Sequence, residues 1–253
     1  MNNRTYLPFS FVQYTDPQLG FGEYGRDLRM WRLAVDEINR IQPDLVLLCG
    51  DLVHDPYDPA AWQDFFRVYA MLQVPCYFVP GNHDIGLEEI DPELLRSYRE
   101  KIADDYGTFS HKGVTFVWVN TQFWKEATIS EECQTHDAWL NETLERAQEK
   151  DLPIIVAGHH PFFLERADEP DEYFNLPLAK RSELTDLFQR CGVRAYLSGH
   201  RHIPIAHTHQ HIHFVTAPSS ARNFDGSPAG FNLWFVDHNA SLHYEFVRLD
   251  QDS

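Results

Sequence analysis

Val79-Pro80-Gly81-Asn82-His83-Asp84-Ile85-Gly86 is the stretch on which the reading of this chain turns. The apolar run leading into it, Val74-Pro75-Cys76-Tyr77-Phe78-Val79, has the length and residue types of a buried strand. Pro80-Gly81 breaks that strand, and an amide, an imidazole and a carboxylate follow at once. Open α/β sheets bind ligands at the carboxyl ends of their strands, because helices cover the faces and leave the rim open. Asn82 offers a carbonyl oxygen to a hard cation, and His83 a proton that moves near neutral pH. Taken alone, the same four residues also make a reasonable capping turn.

Working outward, residues 7–14 read as a strand ending in Thr15-Asp16-Pro17-Gln18, a turn that projects Asp16 and Gln18 from the rim. Apolar residues at helical spacing (Leu28, Trp31, Leu33, Val35, Ile38) predict a helix over 24–41. A buried strand over 44–49 is ended by Gly50-Asp51, and a helix over 60–72 leads back to the opening stretch. Downstream, the pattern predicts helices over 93–104, 131–150 and 181–190 and strands over 114–119, 153–157 and 193–197. A long acidic loop spans 162–179, and the last fifty residues alternate as four strands. No repeat or linker interrupts this, so residues 1–253 read as a single domain.

The 253 residues are 43% hydrophobic and 14% aromatic, enough for a sizeable core. Acidic residues outnumber basic ones 38 to 21, for a formal charge of -17. Such a field repels phosphate backbones and anionic bilayers, so neither nucleic acid nor a membrane is an expected partner. A cluster of divalent cations reverses that sign locally and leaves a small phosphorylated substrate open. The four cysteines form no C-x-x-C pair, and neither a signal core nor a bilayer-length apolar segment is present. These features point to a cytoplasmic protein, expected as a monomer.

Five successive strands end in residues able to bind metal or phosphate: Asp16-x-Gln18, Gly50-Asp51, Gly81-Asn82-His83-Asp84, Gly158-His159 and Gly199-His200-x-His202. All but the first follow a glycine, which permits a sharp turn and a close backbone approach. One such end is a polar strand terminus. Five in a row read as a binuclear metal site.

The order D-x-[H/Q], G-D, G-N-H-[D/E], G-H, G-H-x-H resembles that of the calcineurin-like metallophosphoesterases, from Asp16 through His202. Leu48-Cys49-Gly50-Asp51-Leu52-Val53-His54, Gln122-Phe123, Phe162-Phe163-Leu164-Glu165 and Asp171-Glu172-Tyr173-Phe174-Asn175-Leu176 are similar to a serine/threonine phosphatase branch of animals. The resemblance implies the metallophosphoesterase fold, a four-layer αββα sandwich of two mixed β-sheets of α/β (α+β) type. It implies that Asp16, Gln18, Asp51 and His202 hold one divalent ion. Asp51 would bridge to a second ion, completed by Asn82, His159 and His200. A hydroxide bridging the two ions would attack phosphorus directly, with His83 donating a proton to the leaving oxygen or stabilising its negative charge, and Asp84 orienting His83.

Gln18 departs from the histidine of most of the superfamily. An amide oxygen is a harder ligand, which moves the preference from iron or zinc towards manganese or magnesium. It also implies a more loosely held first ion. Glutamine here resembles the ADP-ribose and CDP-alcohol pyrophosphatases as well. The expected substrate is thus a phosphomonoester, a small molecule or a phosphoserine or phosphothreonine of a protein. A nucleotide phosphodiester or pyrophosphate is the alternative, and an inactive binding scaffold a third.

Other residues invite weaker readings. His207, His209, His211 and His213 alternate around Gln210 and read as cross-strand neighbours on the solvent side of a hairpin. His160 reads as a support for His159 or a substrate contact. His54, Arg201 and Arg222 are candidates to touch phosphate. Residues 165–172 read as a solvated loop, with Tyr173, Phe174 and Asn175 as a wall that selects the substrate.

Overall fold

A computed structural model describes residues 6–125 and 130–249 of the chain. In chain order it runs β1 (Phe9–Tyr14), α1 (Tyr24–Ile41), β2 (Leu45–Cys49), α2 (Pro59–Tyr69), β3 (Cys76–Val79), α3 (Asn82–Ile85) and α4 (Pro92–Lys101). It continues with β4 (Gly107–His111), β5 (Val114–Trp118), α5 (Gln122–Lys125), α6 (Ser130–Glu149), β6 (Ile154–Ala157), α7 (Leu178–Cys191) and β7 (Val193–Ser198). β8 (Ile205–His209), β9 (Ile212–Thr216), β10 (Gly230–Val236) and β11 (Leu242–Arg248) follow.

Among the described residues the strands form two sheets, ordered β11-β10-β1-β2-β3 and β4-β5-β6-β7-β9-β8. In the first sheet β1, β2 and β3 run parallel and β10 and β11 add antiparallel at one edge; in the second β5, β6, β7 and β9 run parallel between antiparallel edge strands β4 and β8, so both sheets are mixed. The sequence of β2 shows why the sheets lie face to face. Leu45, Leu47 and Cys49 point into a core shared with Phe116, Ile155, Ala195 and Leu197 of the second sheet. Val46 and Leu48 point the other way, onto Met30, Trp31, Val35 and Phe65 of α1 and α2. A strand buried on both faces is apolar throughout, and β2 is. The second sheet is covered likewise by Leu140 and Leu144 of α6 and Leu184 and Phe188 of α7. Four layers, αββα, result.

α1 has the boundaries its periodicity predicts. The Glu23 carboxylate accepts the Gly25 and Arg26 amides at 3.0 and 2.8 Å, and Gln42 closes the helix in a left-handed conformation. A cap of this kind contributes about 1 kcal/mol. Trp31 is stacked between Tyr14 at 5.3 Å and Phe65 at 5.2 Å and donates to the Phe65 carbonyl.

Three elements depart from the sequence pattern. β4 is an edge strand of Gly-Thr-Phe-Ser-His whose apolar content is too low to announce itself, and it is fixed by pairing with β5. α3 and α5 are single helical turns at the rim, too short for periodicity to register. At the rim the two sheets are also tied directly, because Gln13 of β1 donates to the Ser198 and Val215 carbonyls, both at 2.9 Å.

Candidate metal centre

The carboxyl ends of β1, β2, β3, β6 and β7 converge on one buried cluster. Backbone bonds stitch the loops to each other: Asp16 N to the Gly50 carbonyl at 3.1 Å, Gln18 N to that of Asp51 at 2.9 Å, and Gly199 N to that of His159 at 2.9 Å. The glycines serve close approach, and Gly50 (φ 89°) a left-handed turn as well. A Cβ on Gly50 would lie 2.5 Å from His159 Nδ1 and 2.7 Å from the Gly81 backbone, and one on Gly199 would strike Thr15 and Asp16. Left-handed turns fall on the functional residues too: Asp16 (φ 51°), Gln18 (37°), Asp51 (54°), His200 (65°) and His202 (51°). Side chains rarely adopt that region, and strained backbones of this kind gather at functional sites.

Seven residues meet here, all buried: Asp16, Gln18, Asp51, Asn82, His159, His200 and His202. Among the described residues, two groups have ligand atoms within 4.8 Å of one another, Asp16–Asp51–His202 and Asp51–His159–His200. Asp51 belongs to both. His202 Nε2 lies 3.2 Å from Asp16 Oδ1 while its Nδ1 faces the Arg222 carbonyl at 2.8 Å. His159 Nε2 lies 3.2 Å from Asn82 Oδ1 and 3.4 Å from Asp51 Oδ1, with Nδ1 on the Cys49 carbonyl at 2.7 Å. The Gln18 amide donates to Asp51 Oδ2 at 3.3 Å, which leaves Oε1 unused.

Two buried atoms in the cluster have no hydrogen-bond partner among the described residues, Gln18 Oε1 and His200 Nε2. An orphaned buried acceptor is costly unless a missing cation completes it. Carboxylate and amide oxygens with imidazole nitrogens are a donor set for divalent metals, so these residues fit two such ions. The electrostatics agree. Burial would raise the Asp51 carboxyl, but the imidazoles of His159, His83 and His200 outweigh it and hold it well below the usual range. Burial pulls His159 down, yet Asp51 and Asp16 push it up to about 9, so in the metal-free protein a proton takes the cation's place. Burial beside His159 keeps His200 well below its usual value and neutral.

His83 lies at the edge of the cluster, half-buried on α3. Its amide donates to Asp51 Oδ1 at 2.9 Å, and its Nδ1 lies 2.6 Å from the His54 carbonyl. The expected contact from Asp84 is a correction. Both Asp84 oxygens are engaged elsewhere, accepting the Asp51, Gly81 and Leu52 amides at 2.9, 2.8 and 2.8 Å. Asp84 therefore clamps the Gly50-Asp51 and Gly81-Asn82 loops together, and His54 orients His83. Burial and the Asp51 charge push the Asp84 carboxyl up, to about 7, against the pull of its backbone donors.

Several outlying residues also shift in meaning. His160 is buried behind the ligands, with Nδ1 2.8 Å from Thr121 Oγ1 and its ring 4.3 Å from that of His200. Thr121 also accepts the His159 and His160 amides at 3.4 and 3.2 Å. It follows a sixth strand end, Val119-Asn120, which carries no glycine-ligand pair. Tyr173 and Phe174 do border the cluster, at 5.0 and 5.5 Å from the His200 ring, and the Asn82 amide reaches the Tyr173 hydroxyl at 3.4 Å. Asn175 is no part of that wall. It is fully buried and ties its own loop, accepting Glu172 N and donating to Glu169 and Pro170. The acidic loop is structured rather than merely solvated: Glu169 accepts the Leu164, Glu165 and Arg166 amides.

Arg201 lies over the Phe174 ring at 4.5 Å, at the rim. Arg222 contributes its carbonyl to His202. The four alternating histidines divide between two faces. His207 and His209 pack against Phe163 at 5.4 and 6.0 Å, His207 also reaching the Leu164 carbonyl, whereas His213 lies beside Thr208 and His211 is exposed.

The family model for calcineurin-like phosphoesterases matches residues 9–204, which takes in every residue of the cluster. The chain belongs to that family. Its relatives include the serine/threonine-protein phosphatase CPPED1 of Rattus norvegicus, 35% identical over 96% of this chain and 85% of that protein. The Homo sapiens protein of the same name is 31% identical over the same shares. Among solved structures, a dimetal phosphatase from Danio rerio superposes with a TM-score of 0.71 at 12% identity, covering 96% of this chain and 99% of that one. The yellow lupin purple acid phosphatase follows at 0.66 and 17%, covering 98% of this chain and 52% of the other. At those identities the structural likeness concerns the fold, which is that of the metallophosphoesterases.

Proposed function

We propose that this calcineurin-like phosphoesterase is a two-metal phosphatase of phosphomonoesters, including phosphoserine or phosphothreonine in a protein. The observation that carries the proposal is the pair of ligand groups sharing Asp51, with Gln18 Oε1 and His200 Nε2 left unpartnered beside them. The named activity of the CPPED1 relatives supports the substrate class. In this reading Asp16, Gln18, Asp51 and His202 hold one ion, and Asp51, Asn82, His159 and His200 the other. Two ions there supply positive charge that polarises a phosphoryl group and lowers the pKa of water. The oxygen-rich set with Gln18 favours manganese or magnesium over zinc or iron.

The protein's own groups do the rest. The His54 carbonyl accepts from His83 Nδ1–H and so orients the ring; with the second nitrogen protonated as well, as the imidazolium, Nε2 would give its proton to the leaving oxygen. Asp84 keeps the two ligand-bearing loops in register. Arg201, flattened on Phe174, offers its guanidinium to phosphate oxygens at the rim. Four free cysteines and the strongly acidic surface fit a cytosolic monomer that avoids nucleic acid and membrane. No helix among the described residues is long and apolar enough to cross a membrane.

One observation favours a second reading, a nucleotide phosphodiesterase or pyrophosphatase. Phe21, Phe174 and Phe224 stand within 6.2 Å of one another in turn beside His202 and His200, a rim on which a base can stack. Hydrolysis of para-nitrophenyl phosphate against bis-para-nitrophenyl phosphate, with Mn, Mg and Zn each tested, separates the two. The monoester should be favoured. No turnover with any metal overturns the enzyme reading. His83→Ala should keep its metals and lose about 10²–10⁴ in kcat; wild-type turnover would remove His83 from the proton-donor role.

A further inference from the structure

The loop over 162–179 brings one more polar group to the mouth of the metal cluster, the Tyr173 hydroxyl. The ligand residues are all buried, whereas Tyr173 is 51% exposed, so it stands on the side open to solvent. Its ring lies 5.0 Å from that of His200, and its hydroxyl 3.4 Å from the Asn82 amide nitrogen. A tyrosine on a long surface loop is ordinarily loose, but this one is clamped from both sides. Lys125 Nζ donates to the Glu172 and Asn175 carbonyls at 2.8 and 2.7 Å, which fixes Tyr173 and Phe174 between them. The Glu172 amide donates to Asn175 Oδ1 at 2.7 Å, and Leu176 N to the Pro161 carbonyl at 3.0 Å. Groups that act on a substrate need rigid mounts of this kind.

The partner of the hydroxyl decides where its proton goes. Asn82 Oδ1 faces the cluster, 3.2 Å from His159 Nε2, so Nδ2 points outward and donates to the Tyr173 oxygen. A phenol that accepts in this way keeps its own O–H for another acceptor, and Asn82 is its one hydrogen-bond partner among the described residues. A cation on Oδ1 polarises the amide, and hydrogen bonds in series strengthen one another, so the Tyr173 proton becomes a better donor.

We propose that Tyr173 is a catalytic residue that donates its hydroxyl proton in a hydrogen bond to a terminal phosphoryl oxygen of the substrate. The inference rests on the two-metal phosphatase reading and gives it a basis for choosing monoesters. A monoester has three terminal phosphoryl oxygens and a diester two. Two ion positions take up two of them. Tyr173 then finds a third, charged oxygen in the monoester alone, and in a diester only an ester oxygen. Hydrogen bonds to charged acceptors are roughly twice as strong as neutral ones. A donor fixed beforehand at that oxygen lowers the barrier rather than merely holding the substrate.

The test compares the full chain, loaded with Mn²⁺, with its Tyr173→Phe variant. On para-nitrophenyl phosphate kcat/KM should fall about ten- to a hundredfold, and on bis-para-nitrophenyl phosphate by less than about threefold. Mn²⁺ content by elemental analysis should be unchanged. Equal losses on the two esters, or a variant that loses Mn²⁺, would make Tyr173 a mere support for Asn82 and overturn the proposal. Full activity on the monoester overturns it as well. Binding of inorganic phosphate to the Mn²⁺-loaded protein gives a readout free of turnover, and it should weaken about tenfold in the variant. Unchanged phosphate affinity, or a wild-type protein that binds no phosphate, removes Tyr173 from the site. A wild-type protein that binds phosphate but hydrolyses neither ester would sink the phosphatase reading instead, and phosphate affinity would still decide Tyr173.

Discussion

The two halves of the metal cluster are built by different means. Asp16, Gln18 and His202 all sit at left-handed backbone positions, and neighbours hold each in place: Ser219 donates to the Asp16 carbonyl at 3.0 Å, and Asp16 itself accepts the His200 amide at 3.0 Å. On the other side His200 is left-handed too (φ 65°), but Asn82 and His159 have ordinary backbones. Asn82 starts a helical turn clamped by Asp84, and the Cys49 carbonyl fixes the His159 ring. A left-handed non-glycine residue costs on the order of 1–3 kcal/mol and persists only where its surroundings over-determine it. Beside the shared Asp51, one half thus mounts every donor on a strained backbone, and the other only His200. The difference teaches that donor type and donor mounting are separate properties: Gln18 stands apart in donor type but shares its left-handed mounting with Asp16, Asp51, His200 and His202.

The comparison breaks most severely at Asp51, which both halves share. Asp51→Asn should lower kcat on the order of a thousandfold or more, with metal content falling at both positions. Elemental analysis checks this, and a variant that retains two metals would show that the halves do not share Asp51.

Gln18→His sharpens the contrast by changing one donor in the strained half alone. Its preference for Zn over Mn should rise on the order of tenfold, read by competition between the two metals. An unchanged preference would mean that Oε1 is not a ligand.

The smallest effect is on pH dependence in the other half. The folded His159 value, pushed up to about 9, lies above its unfolded value of about 6.5. Its protonated form therefore stabilises the metal-free protein fully below about pH 6.5, and that contribution disappears as pH rises through about 9. A metal needs the same nitrogen unprotonated, so its affinity rises across this window by up to about tenfold per pH unit. The gap in Tm between Mn-loaded and EDTA-treated protein should widen by about a few degrees from pH 6.5 to 9. A gap that narrows would exclude His159 as a ligand.

Much of this was legible in the sequence because its signals are local. The boundaries of α1, the both-faces-buried pattern of β2 and the glycine-ligand pairs at four strand ends lie within a few residues of what they specify. What stayed hidden depends on partners far along the chain. Nothing beside Asp84 in sequence shows that its carboxylate reaches the amides of residues 51 and 52 rather than its neighbour His83. Thr121 follows a strand end like the others, but its partners, His159 and His160, come nearly forty residues later. Asn175 resembled its neighbours, the exposed Tyr173 and half-buried Phe174, but the loop closes around it. The left-handed conformations of Asp16 and His202 were also invisible, since they are imposed by packing against local preference.

The span between the ends of the cluster has a consequence for how the protein is made. Asp16 bonds to the His200 amide and to His202, 184 and 186 residues away. A chain emerging from the ribosome therefore presents its first four ligand-bearing turns with one side of the cluster missing. Neither proposed ion can be fully enclosed until the seventh strand has been synthesised and docked. Such long-range closure is a slow step in folding. Metal capture would then be a late event in biogenesis, acting as a latch on a chain that has already joined its two sheets.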